Sequence, residues 1–356
     1  MNVFSVIKFP NDFCTGNNGL NGTCYTQEEC TAKGGQAAGT CASGFGVCCT
    51  FSLSCGSMSS ENNTYFDQIT FTTWNTNSGN SPCTYRVCPM ENVCRIRLDL
   101  STFVLKGPNG ISSMAADADG SIGKCNLESM SITSPGMKPP PIICGTNSGQ
   151  HMFLDVTDEC VDINIHIDTF DTTTSRTWAI HVKQYTCGDT NAGPTGCLQY
   201  HTGTAGSFGT FNFDLAATAA SSFASITHLA NQDYNICFRR EENYCRTCFW
   251  PKIAYSFGLT TETTAGMARA GPDCYTPDLA DYIEIPGAQE GSVSTATSEF
   301  TTKDGATLGS SRMCGQLFSN IDATGAAAVT ICSKYLSGFF GGSPYSTLLF
   351  ILLLHM

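Results

Sequence analysis

The sequence predicts an all-β fold of the sandwich or barrel kind, in two halves behind a small disulfide-stapled unit. Three observations predict it: period-two alternation in several segments, turn-rich links between them, and 21 cysteines in 356 residues. Val161–Asp168 alternates apolar and polar residues without an error, and Cys94–Leu100 and Trp178–Lys183 follow the same habit. Such alternation makes strands with one buried face. The Gly, Pro, Asn and Thr clusters Lys106–Gly110 and Ser134–Pro141 read as links. No window shows a convincing helical period of 3.6.

The cysteine spacings are mostly irregular, which fits a disulfide framework in an oxidising compartment and not a zinc-finger array. The total is odd, so at least one cysteine is unpaired or bonds another chain. Cys332 is the suspect, because its strand runs into an abnormal apolar tail. A net charge of −12 argues against nucleic acid, whose phosphates would repel it. It suits solubility, cationic partners or calcium.

Residues 14–49 form the first unit, with Cys14, Cys24, Cys30, Cys41, Cys48 and Cys49. A stretch this short and Gly-rich cannot bury enough apolar area to fold unaided, so three disulfides are expected to hold it. Six cysteines leave the pairing open, although adjacent Cys48 and Cys49 must reach different partners. Beyond it the β-rich halves share a layout. Cys94, Cys125 and Cys144-Gly145 in the first answer Cys237, Cys274 and Cys314-Gly315 in the second. The second half also carries the β segments Cys197–Tyr200, Gly206–Phe213, Asn235–Arg239 and Asp281–Pro286. This reads as an internal duplication with a boundary near Cys187–Cys197.

The six-cysteine unit, ending in Cys48-Cys49, resembles an arthropod clip-type knot. That resemblance implies the pairing Cys14–Cys48, Cys24–Cys41 and Cys30–Cys49. Cys274, Asp281–Ile285 and Cys314-Gly315 resemble the CUB domain, and Cys125, Glu128–Ile132 and Cys144-Gly145 do so more weakly. Gly39–Cys49, Cys94–Leu100, Cys144–His151 and Cys197–Tyr200 make residues 3–335 similar to arthropod secreted proteins with a clip-like knot before two CUB-type domains. The resemblance implies a jelly-roll-like sandwich of two antiparallel sheets in each domain. It also implies Cys125–Cys144 and Cys274–Cys314 bridges, each within its own domain.

The expected organisation is an N-terminal segment 1–13, the knot 14–49, a first CUB-like domain 55–187, a second 188–335 and a divergent apolar tail 336–356. The tail replaces the closing strands of a CUB domain, so the second domain is expected to lack its last strand and expose a sheet edge. Leu348–Leu354 falls far below the roughly 20 residues that span a bilayer, and no polar spacer for a lipid anchor precedes it, so membrane anchoring is not expected. Met1–Pro10 is too short for a signal peptide, so the natural start is expected upstream.

Clip knots often precede serine proteases, whose chemistry needs a Ser, a His base and an Asp orienter brought together. No Gly-Asp-Ser-Gly-Gly segment, Gly-x-Ser-x-Gly elbow or His-Glu-x-x-His pair occurs. His166 and His181 occupy polar positions of alternating strands and are expected at the surface. Cys245-Arg246-Thr247-Cys248 is expected to feed disulfides, not a zinc or redox site. The CUB resemblance makes Asp281 a candidate calcium ligand, with Glu262 as its earlier partner; Glu128 stands at the Asp position of the first half. Asn21-Gly22-Thr23 and Asn62-Asn63-Thr64 are acceptor sequons for N-glycans. The expected function is non-enzymatic binding or structural work outside the cell, with extracellular proteins or glycans as partners. The alternative is a regulatory or decoy component of a clip/serine-protease cascade that lacks its catalytic domain.

Overall fold

The structure is a computed structural model. It describes residues 7–66, 69–71, 82–108, 123–168, 175–216, 228–252, 257–259, 267–270, 281–285, 288–290, 312–315, 318, 323–324, 330–334 and 349–354. Its elements are almost entirely strands, with one six-residue α-helix among the described residues. The chain divides into two compact units. The first comprises Met1–Leu105, Met130–Pro139 and Leu154–Ala192; the second comprises Lys106–Ser129, Pro140–Phe153 and Gly193–Met356. Residues 106–129 and 140–153, which fall within the expected first domain, thus pack with the chain from Gly193 onward.

The knot is a small sheet of β1 (Phe13–Thr15), β2 (Asn21–Tyr25), β3 (Gln36–Cys41) and β4 (Gly46–Leu53). Its helix α1 (Gln27–Ala32) was not legible from periodicity, because six residues are too few to show a period. The start signal was there: Thr26 and Glu29 stand three apart, and the Thr26 hydroxyl accepts from Glu29 N at 3.1 Å. Bridges Cys14–Cys48, Cys24–Cys41 and Cys30–Cys49 cross this sheet. Cys30 and Cys49 are fully buried and form a cluster with Tyr25 and Phe51. A side chain on Gly35 would collide with Cys49 Sγ and the Phe51 ring, so only glycine fits there.

β4 does not stop at the knot. Its C-terminal half pairs parallel with β6 (Thr64–Phe66), Phe51 facing Thr64 and Leu53 facing Phe66. The knot and the first sandwich therefore share one sheet, in the order β1-β2-β4-β6-β13-β9-β11. Here β9 is Val93–Val104, β11 Gln150–Asp155 and β13 Arg176–Thr186; β7 (Ile69–Phe71) also pairs with β13. The opposing sheet has the order β10-β12-β8-β5, from β5 (Met58–Ser59), β8 (Cys83–Val87), β10 (Ser129–Thr133) and β12 (Val161–His166). Alternation decides what lies between the sheets. Ile96, Leu98, Leu100, Trp178, Ile180 and Val182 face Tyr85, Val87, Val161, Ile163 and Ile165, all buried. Phe66 stacks on Tyr85 at 4.0 Å, and Trp178 Nε1 donates to the Tyr85 hydroxyl at 3.1 Å, so the sandwich is joined across its middle.

Polar staples close the knot end. Buried Glu61 accepts from the Tyr25 hydroxyl at 3.1 Å and pairs with Lys33 Nζ at 2.9 Å. Burial first, then the Glu61 carboxylate, push the Tyr25 phenol well above its usual range. Asn62 extends the β6–β13 ladder with its side chain: Nδ2 donates to Gln184 O at 3.2 Å and Oδ1 accepts from Gln184 N at 2.8 Å. The Gln184 side chain in turn accepts from Met90 N and donates to Ser60 O and Cys88 O. Bridges Cys55–Cys83, Cys88–Cys160 and Cys94–Cys187 tie the same unit. The last closes a separation of 93 residues, which removes on the order of 4–5 kcal/mol of unfolded-state entropy in the loop-closure picture.

In the second unit β14 (Cys197–His201) runs parallel to β15 (Asp233–Phe238) at the end of a sheet ordered β14-β15-β23-β18-β20-β17-β21. Its other members are β17 (Met267–Ala270), β18 (Tyr282–Glu284), β20 (Arg312–Gly315), β21 (Ala323–Thr324) and β23 (Leu349–Leu354). A second sheet pairs β22 (Ile331–Lys334) with β16 (Arg246–Phe249) and β19 (Ala288–Glu290). Phe238 and Phe249, one from each sheet, meet at 5.0 Å. Two sequence expectations change here. The tail does not leave a sheet edge open: Leu349–Leu354 is β23, paired with β15 on one side and β18 on the other. Six successive apolar residues suit a strand in the middle of a sheet as well as a tail, and composition alone does not separate the two. Gly206–Phe213 is not a strand; the chain turns there with Asn212 at φ 68°, and Asn147 Oδ1 accepts from Asn212 N at 2.7 Å.

The segments 106–129 and 140–153 are bound into this unit by polar contacts. Gln150 Nε2 donates to Thr210 O at 3.0 Å and Phe213 O at 3.1 Å, Ala230 N donates to Gly123 O at 2.9 Å, and Gln232 Nε2 donates to Ile142 O at 3.1 Å. Cys125 and Cys144 bond each other inside the same unit. Further bridges are Cys197–Cys237 and Cys248–Cys332.

Candidate functional site

The outer face of the large sheet in the first unit carries the most built polar arrangement. β9 and β13 are adjacent and antiparallel, so their solvent-side residues fall opposite one another: His181 faces Asp99, and Lys183 faces Arg97. Asp99 pairs with Arg97 at 2.6 Å and with Lys183 at 3.2 Å. Burial pushes the Asp99 carboxyl up, but Arg97 and Lys183 outweigh it, so the group lies below the usual carboxylate range. On the next strand Tyr65 stacks on His181 at 4.1 Å with rings 5° from parallel, and the Tyr65 hydroxyl accepts from Asn21 N of the knot at 2.8 Å. Arg97, Asp99, His181 and Lys183 stand at polar positions of alternating strands. What the sequence lacked was the register that sets them side by side.

That register overturns the expectation for His181. It is buried at 6% exposure, between Tyr65 and the charged row, while His166 is exposed as expected. Burial, with help from Lys183, lowers the His181 imidazole to about 4 against the opposing pull of Asp99. Between pH about 6.5 and about 4 the unfolded chain therefore binds a proton that the folded chain refuses. Stability conferred by neutral His181 is complete above that window and is lost as pH falls through it. Urea unfolding of the wild type should lose on the order of 2–3 kcal/mol to this group between pH 7 and pH 4.5. His181→Phe keeps the stack and cannot titrate, so its stability should fall less over that range; equal pH slopes in the two proteins would refute the assignment.

The remaining candidates are scattered. Asp281 precedes β18, and its Oδ2 lies 3.2 Å from His228 Nε2, so its carboxylate already has a partner. Glu262 and Cys274 lie outside the described residues. Cys314 is disulfide-bonded. No group of three His, Cys, Asp or Glu able to hold a metal ion occurs among the described residues. Glu128 is buried and accepts from Lys106 N at 2.7 Å, a backbone-holding role. Asn21 is half-buried in β2, and the Asn62 amide is committed to Gln184.

The unpaired cysteine among the described residues is Cys245, which is exposed; Cys332, the expected one, is bonded. Strand pairing explains the exchange. β16 and β22 place Cys248 directly opposite Cys332, whereas Cys245 precedes β16 and has no facing strand. Alkylation of the native, unreduced protein followed by peptide mapping should label Cys245 and leave Cys332 unlabelled; label on Cys332 would contradict the pairing.

Large apolar side chains stand exposed at separate places. Phe13 (65%) and Phe45 (59%) are on the knot, and Tyr244 (48%) and Trp250 (66%) flank β16 in the second unit. Exposed aromatics are the side chains on which protein contacts are most often built.

Residues 194–337 match the Animal CUB domain family. The match lies in the second half of an all-β, disulfide-stapled chain. Among solved structures, the CUB1-EGF-CUB2 domains of rat MASP-1 are similar at 12% identity and a TM-score of 0.24, covering 85% of this chain and 99% of that one. The CUB1-EGF-CUB2 domain of human MASP-1/3 is similar at 10% identity and a TM-score of 0.23, covering 81% and 98%. No curated protein matches the chain. No helix among the described residues is long and apolar enough to cross a membrane.

Proposed function

We propose that the chain is a secreted, non-enzymatic binding protein that presents partner-binding surfaces on two bridged β-sandwiches, the second of them the CUB domain. The observation that carries this reading is the CUB match over residues 194–337, since such domains are extracellular interaction modules. Nine bridges among the described residues support an oxidising compartment. The exposed aromatics of the knot and of β16 are the contact points this reading singles out, and the partners are extracellular proteins or glycans. Calcium would rest on Asp281 and Glu262, and the pairing of Asp281 with His228 competes with it.

The test is affinity capture from the extracellular fluid of the source with the oxidised protein as bait. Phe13→Ser with Phe45→Ser, and separately Trp250→Ser, serve as matched controls. Loss of a specific partner in one variant supports the reading. Covalent labelling by a fluorophosphonate, or turnover of ester or peptide substrates, would overturn the non-enzymatic half of it.

A further inference from the structure

The outer edge of β14 needs something to satisfy it. β14 is the last strand of its sheet, and an open edge is a template for unwanted pairing. Yet Cys197, Leu198, Gln199 and Tyr200 are all buried. The cover comes from β11. Gln199 Nε2 donates to Gln150 Oε1 at 3.1 Å, and Tyr200 N donates to His151 Nε2 at 3.0 Å. A side chain thus stands where a strand carbonyl would accept. His151 is itself buried, at 8% exposure, and its ring lies 4.9 Å from the ring of His201, the last residue of β14. Around them stand Phe153, against His151, and Phe208 and Phe238, against His201.

This arrangement has a chemical condition. A protonated imidazole carries N–H on both nitrogens and accepts from neither. Tyr200 N is held only while His151 is neutral at Nε2. Protonation turns that contact into two donors facing each other, and charge on both rings sets two cations side by side among aromatic side chains. Histidine is the side chain whose ordinary range makes this happen under mildly acidic conditions. Arg239 and Glu241 act on Tyr200 and pair with each other at 2.9 Å. Asp155, further along β11, is committed to Arg95.

We propose that His151 and His201 form an acid-released latch that holds the Gln150–Phe153 stretch of β11 over the edge of β14. At neutral pH the latch is closed and the edge is covered. Below about pH 6.5 each histidine that is neutral when closed and protonated when open favours opening by about tenfold per pH unit, so the two together give up to about a hundredfold. The opened state exposes β14 as a strand edge.

Amide hydrogen exchange of the intact oxidised protein reads this directly. Protection factors, corrected for the intrinsic pH dependence of exchange, are compared at pH 7.4 and pH 5.5. The Tyr200 amide should lose tenfold to a hundredfold in protection in the wild type, while Ile163 in β12 of the first unit keeps its own. His151→Gln retains an acceptor that does not titrate, and His201→Gln removes the second charge. Each should cut the loss to tenfold or less, and the double variant should abolish it. A change of less than threefold at Tyr200 in the wild type overturns the proposal without reference to any variant. So does an undiminished loss in the double variant. A variant that fails to fold leaves the wild-type measurement decisive.

Discussion

Asp155→Ala is expected to destabilise the first unit by about 3–5 kcal/mol, the cost of leaving a buried cation without its partner. Arg95 is 4% exposed in its side chain, and its Nε lies 2.8 Å from Asp155 Oδ1. Its Nη1 donates to Ala192 O at 2.6 Å, so the guanidinium holds both β11 and the chain just before the second unit. Burial drives the guanidinium below its usual range, and Asp155 only partly offsets that, the signature of a group that needs its carboxylate. Arg95 cannot shed its proton at any ordinary pH, so removing Asp155 leaves charge in a dry place. The double replacement Arg95→Met with Asp155→Leu should recover most of the loss, because a buried pair rarely outperforms apolar packing of the same volume. Chemical denaturation of the two single variants and the double gives the coupling. A cost below 1 kcal/mol for Asp155→Ala, or a double variant no better than the single, would show that the pair is not load-sharing in this way.

Truncation before Leu349 should be as severe for the second unit. β23 pairs with β15 from Asp233 to Phe238 and with β18 from Tyr282 to Glu284. Removing it unpairs both neighbours at once and leaves two edges in the middle of one sheet. A gentler version is Leu352→Pro, since Leu352 faces Asn235 on one side and Glu284 on the other, and a proline there removes a ladder donor. Even a loss of a few kcal/mol lowers cellular abundance several-fold, so secretion of both variants should fall steeply. The intramolecular bridges of the first unit, such as Cys94–Cys187, should still form in whatever is recovered. Normal secretion of the truncated chain would mean that β23 is dispensable.

How much of this was legible depends on what each feature required. Val161–Asp168 announced β12 and Cys94–Leu100 announced most of β9, because one buried face writes itself into every second residue. Features that depend on a neighbouring strand were not written locally. His181 looks like a surface residue until β6 brings Tyr65 against it. Cys245 and Cys248 look equally suited to feed disulfides until β22 presents Cys332 to Cys248 alone and leaves Cys245 free. Leu348–Leu354 looks like a tail until two partners flank it. The charged row of Arg97, Asp99 and Lys183 is the same case: the residue types were visible, and the register that joins them was not. Gly206–Phe213 failed for another reason. Its aromatic spacing imitates a strand, but its backbone groups are satisfied by Asn147 and Gln150 from a distant segment.

The passage of β4 out of the knot and into the first sandwich has a consequence for recognition. Modules strung on flexible tethers gain avidity because a second contact is drawn from a high local concentration, and they adapt to whatever spacing a target offers. A knot welded into the neighbouring sheet has no such freedom. Phe13 and Phe45 keep a fixed distance and bearing from the Arg97–Lys183 row, so a target that touches both must already have that spacing. In exchange, no tether has to be stilled on binding, and a matching target meets both points in a single encounter. The knot thus works as a ruler.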